Sequence, residues 1–97
     1  MKSITTLSWP LVFACFYFGQ PVSKVLSGSR KRELLRIRQI VHYNAFKSGM
    51  RYQDIADLTG NHWEDVRNSI RQIKNLIEPI NGKIQDEKLR NDINKLR

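Results

Sequence analysis

Apolar positions recur at helical spacing in most of the chain. Leu34, Ile37, Val41 and Ala45, with Ile40 beside them, fall three and four apart and predict a long amphipathic helix over residues 30–47. Ile55 and Ala56 mark a short helix from Tyr52, and Val66, Ile70 and Ile73 mark a second, with Gly60 between the two. Ile84, Leu89, Ile93 and Leu96 predict a terminal helix folded back on the core, in preference to one used for dimerisation. Near the start, residues 11–18 are apolar throughout and predict a helix buried on most sides, capped by Ser8 and accepting Pro10 in its first turn. On that basis Cys15, Phe16 and Phe18 are core residues, and residues 1–8 form a loose polar leader.

The breaks between these stretches have their own chemistry. Gly19-Gln20-Pro21 ends the first helix, residues 22–26 supply a turn or two, and Ser27-Gly28-Ser29 is a flexible loop in which Ser29 can cap the long helix. Residues 48–51, with Gly49, form a connection, Pro79 closes the second hairpin helix and Asn81-Gly82 is a turn. Asn61 and Glu64 have the spacing of a capping box, and Asp65 also suits a helix start. The pattern predicts one all-α domain over residues 1–97, a compact body of about six helices. Ala56, Gly60 and Val66 give residues 52–78 the signature of a helix-turn-helix: a small residue at the closest approach, a glycine in the turn and a branched apolar residue behind the second helix.

Charge adds a partner class to this picture. The formal net charge is +8, and residues 24–51 hold eight basic residues against one acid, a balance of +7. Lys31, Arg32, Arg36 and Arg38, with Arg30 before them, form a cationic ridge from the loop into the long helix, and Arg51 follows. A field so concentrated attracts a polyanion, of which nucleic acid is the usual one and an acidic membrane surface the second candidate. With Val66, Ile70 and Ile73 holding the second hairpin helix from behind, its outer face offers His62, Trp63, Asp65, Arg67, Asn68 and Arg71, with Asn61 just before them. Asn61, Asn68 and Arg67 suit donor contacts to adenine or guanine, while Trp63 suits either a sugar or thymine methyl or the closure of the hairpin core.

Other chemistry is poorly supplied. His42, His62 and Cys15 lack metal-ligand spacing, no nucleophile stands with a base, and there is no glycine-rich phosphate loop. The expectation is a chain that is no enzyme, with no cofactor, metal or small-molecule substrate. One cysteine cannot form an internal disulfide. Residues 11–19 after Lys2 have the character of a secretion signal, but the run is short, Pro10 interrupts its start and the chain continues into a helical domain, so a cytoplasmic protein is expected and a membrane surface is a lesser partner.

These residues together resemble the C-terminal DNA-binding domain of the bacterial replication initiator DnaA, a helix-turn-helix domain of the TrpR-like superfamily. The likeness runs from about Pro10 to the end of the chain. Its densest part is ungapped: Tyr17-Phe18-Gly19, Val22, Leu26-Ser27, Ser29-Arg30-Lys31-Arg32 and Arg36-x-Arg38-Gln39-Ile40. In that family the helix-turn-helix ends in a motif of the type Gly-Arg-Asp-His-Thr-Thr-Val, with Arg-Lys-Ile further on. This chain has Gly60-Asn61-His62-Trp63-Glu64-Asp65-Val66 and then Arg71-Gln72-Ile73.

The resemblance implies an all-helical domain that binds duplex DNA as a monomer. It implies Arg30 in the minor groove, Arg38 and Gln39 at the phosphate backbone, and the second hairpin helix in the major groove, in replication control or transcription. The residues that read the family's DNA box are replaced at positions 61–65, and the hairpin turn and the connection before it are each one residue shorter. The family's sequence preference is therefore not carried over. The rival expectation keeps the fold but docks the acidic, Trp63-bearing helix on a replication or transcription protein, such as an initiator.

Overall fold

The computed structural model describes the backbone of residues 4–27 and 31–96, and the side chains of those from Pro10 onward. Among these residues the domain is all-α: α1 (Ile4–Phe18), α2 (Val22–Val25), α3 (Arg32–Lys47), α4 (Tyr52–Thr59), α5 (Trp63–Ile77) and α6 (Glu87–Lys95). The centre is α3, which packs on α1, α2, α4 and α5. Leu34, Ile37, Ile40, Val41 and Ala45 are all buried, as the spacing predicts. Each fully buried branched side chain contributes about 1.5–3 kcal/mol, so this stripe is enough to fix the helix in the middle of the bundle.

The hairpin follows the predicted pattern. Ile55 and Ala56 on α4, and Val66, Ile70, Ile73 and Ile77 on α5, are buried. Between the helices Gly60 adopts φ +71°, and its neighbour Asn61 N–H donates to Ala56 C=O at 3.0 Å, closing the end of α4. That left-handed conformation costs an L-residue energy that glycine does not incur. Glu78 ends α5 just before Pro79, and Asn81-Gly82, both at positive φ, turn the chain so that Ile80 and Lys83 pair as a single bridge.

Four expectations are corrected. The first helix starts at Ile4, not near Ser8, so Ser8 lies inside it and residues 4–8 are not a leader. Phe16 is 89% exposed rather than core, and Val12 and Phe13 are half exposed. Leu11, Ala14, Cys15 and Phe18 fall at the spacing that faces α3, which leaves the intervening apolar residues pointing outward. Ile84 sits half-buried in the segment before α6; Leu89, Ile93 and Leu96 alone close that helix on the core. The N-cap of α5 is His62, whose Nδ1 accepts from Glu64 N–H at 3.2 Å, so Asn61 and Glu64 do not form a capping box. The expected cap at Ser29 lies outside the described residues. No described helix is long and apolar enough to cross a membrane.

Two polar ties lock the outer helices. Tyr17 O–H donates to Asp92 Oδ1 at 2.9 Å, joining α1 to α6, and Lys88 Nζ donates to Asp92 Oδ2 at 3.0 Å. Asp92 is nearly buried, so these donors supply what water no longer can.

Candidate functional site

A groove of about 890 Å³ lies between α3 and α5. From α3 it takes Leu35, Arg38, Gln39 and His42; from the turn and α5 it takes Asn61, Asp65, Asn68 and Arg71. Six of the sequence-predicted residues thus share one site: Arg38, Gln39, Asn61, Asp65, Asn68 and Arg71. The reason is helical phase. Leu35, Arg38 and His42 follow one another at three and four residues, so they form one wall of the groove, while Lys31, the N-cap of α3, lines a separate depression with Gln20, Lys24 and Glu33.

Arg38 and Gln39 are nearly buried. Arg38 Nη1 donates to Val25 C=O at 2.9 Å, satisfying a carbonyl at the end of α2. Gln39 Nε2 donates to Gln72 Oε1 at 2.7 Å, tying the groove walls together. Both side chains therefore hold the free protein together, and little of either is exposed for the phosphate contacts expected of them.

His42 is the deepest polar group in the groove. Thr59 Oγ1 donates to Ile55 C=O at 3.2 Å and lies 2.9 Å from His42 Nε2, within hydrogen-bond reach. His42 Nδ1 and Asn61 Oδ1 are both buried without a hydrogen-bond partner. Burial pushes the imidazole pKa down to about 4; the contact with Asn61, available once Nδ1 is protonated, and the carboxylate of Asp65 pull upward, while Arg38 pushes further down. Sequence reasoning set His42 aside for want of metal spacing. Its place one turn after Arg38, on the same face, was the available signal.

The exposed face of α5 carries Trp63, Arg67, Asn68 and Arg71. Trp63 is 40% exposed, which removes it from the hairpin core, and Arg67 Cζ stands 5.6 Å from the centre of its ring. The His62 ring lies 5.8 Å from the Trp63 ring, and His62 Nδ1 is 3.7 Å from Glu64 Oε1.

The cationic ridge is not continuous. Lys31 and Arg32 are exposed at the start of α3. Arg36 instead lines a separate depression with Phe18, Ile40, Asp86 and Asp92. Arg51 caps α4, 3.3 Å from Asp54 Oδ2, beside Phe46, Met50 and Tyr52. Arg30 lies outside the described residues. Among the described residues no group of His, Cys, Asp and Glu is arranged to hold a metal.

No protein-family model, curated protein or solved structure matches this chain.

Proposed function

We propose that this chain binds double-stranded DNA in the cytoplasm, in replication control or transcription, with α5 laid in the major groove. The observation that carries this is the sharing of one groove. Asn68 and Arg71 of α5 and Arg38 of α3 line the same cleft, and Lys31 and Arg32 stand exposed at the start of α3, which supports phosphate contacts and base contacts being made by one molecule. Phosphate contacts position such a protein and base-edge contacts give it selectivity, and the two sets are separable by mutation. Lys31 and Arg32 belong to the first set, Asn68 and Arg71 to the second. The likeness to the DnaA DNA-binding domain supports the same assignment through its basic segment.

Charge reversal at Lys31 plus Arg32 is expected to weaken binding to all duplexes alike. Asn68→Ala is expected to change which duplex is preferred, because a bidentate hydrogen bond to a base edge discriminates against the wrong base by about 1–3 kcal/mol. Fluorescence anisotropy on a panel of duplexes measures both; equal weakening on every sequence for both variants would remove the assignment of base contacts to α5.

One observation favours a second reading, in which the fold docks a replication or transcription protein. Val12, Phe13 and Phe16 expose an apolar face on α1 that DNA does not need. Tight binding to such a protein, with no duplex affinity at low salt, would favour it.

A further inference from the structure

Trp63 is the first residue of α5 and Arg67 stands one turn later, with its guanidinium carbon 5.6 Å from the indole centre. Both are exposed, and among the described residues Arg67 has no carboxylate partner. Among these residues no ion pair draws its N–H donors away, and its guanidinium lies within cation–π reach of the ring. Arginine stacks on aromatic faces and keeps a rigid fork of donors at its edge. The first turns of a helix lying in the major groove are the part that reaches base edges. Glu64 and Asp65 share the first turn of α5 with Trp63, and two carboxylates there repel phosphate. A fork held in such surroundings fits a neutral edge with two adjacent acceptors. In the major groove that edge is guanine, through O6 and N7.

We infer that Trp63 and Arg67 act as one unit that selects a guanine at a single position of the bound duplex, Arg67 reading the base and Trp63 serving as its positioning residue. The inference rests on the duplex-DNA function proposed above. Trp63 limits the orientations Arg67 can take, so less freedom is lost when the two hydrogen bonds form.

The test is selection of duplexes from a random pool by the full chain and by Trp63→Ala, Arg67→Ala and Arg67→Lys, with a thermal melt of each variant. For the unaltered chain, one position should favour guanine about 5- to 150-fold over the other bases, the range expected of a bidentate contact. Arg67→Ala should abolish that preference, and Arg67→Lys should do nearly the same, because an ammonium cannot present the fork. Trp63→Ala should reduce it about two- to fivefold, the size of an exposed cation–π contact, with preferences elsewhere and the melting temperature kept. A merely structural pair would instead lower the melting temperature and leave every base preference unchanged, and that result overturns the inference. Duplex binding by the unaltered chain without any guanine preference overturns it alone; absence of duplex binding overturns the proposed function as well.

Discussion

Acidification should destabilise this domain through one side chain, His42. The ring is 2% exposed, and its folded-state pKa of about 4 lies below the ordinary 6.5 that it recovers on unfolding. Between those values the unfolded chain binds a proton that the folded protein does not, so stability falls as the pH drops from 6.5 toward 4 and is fully present above 6.5. A difference of that size corresponds to about 3 kcal/mol once the pH is below both values, most of it lost by pH 4.5. That is a large part of the stability of a domain of this size, which is on the order of 5–10 kcal/mol. Urea melts of the unaltered chain and of His42→Gln at pH 7.5 and 4.5 isolate the effect, because glutamine has no proton to gain. The unaltered chain should lose about 2–3 kcal/mol more than the variant over this interval, or roughly 2 M in midpoint for a slope of about 1 kcal/mol per M. Parallel losses in the two proteins, or an NMR titration of the His42 ring near 6.5, would refute the reasoning.

The other stability predictions concern backbone and buried polar groups. Gly60→Ala should cost about 1 kcal/mol in a thermal melt: φ is +71° and an added Cβ meets nothing within 4 Å, so the cost is purely conformational. Asn44 is 2% exposed with neither amide atom partnered, so Asn44→Leu should raise stability by about 1–3 kcal/mol; a fall would mean that the core cannot take the side chain. Arg38→Met keeps most of the buried stem but leaves Val25 C=O without its donor, and should cost about 2 kcal/mol with local exchange of the α2 amides.

The centre of the fold was legible because α3 and the α4–α5 hairpin combine regular spacing with glycine and proline at their ends. Ile37, Ile55, Val66 and Ile73 could be assigned to the core from sequence alone. In α1 the same logic had no purchase. A run that is apolar on every side carries no phase, so Phe16 could not be told from Cys15 until α3 was seen to cover one side only. The α5 cap was misplaced because Asn61 is the better capping residue by type. In the structure Asn61 instead lines the groove with His42, and His62 accepts from Glu64 N–H.

Part of the candidate site was legible for the same reasons. The outward face of α5 follows directly from the burial of Val66, Ile70 and Ile73. The cationic ridge does not survive intact, because residues two apart on a helix are about 200° apart around its axis. Arg36 and Arg38 therefore look to opposite sides, one toward α6 and the other toward α5. Burial of Arg38, Gln39 and His42 depends on contacts with α2, α4 and α5 that no local pattern encodes.

The salt dependence of duplex affinity bears hardest on the DNA-binding function. Lys31 and Arg32 are exposed at the start of α3, and Arg67 and Arg71 on α5. With Lys31 and Arg32 on the phosphate backbone as proposed, log affinity should fall against log salt with a slope of about −2, at roughly 0.9 for each phosphate contact. A slope near zero, or no duplex affinity at 50 mM salt or below, about where such contacts are strongest, would contradict it.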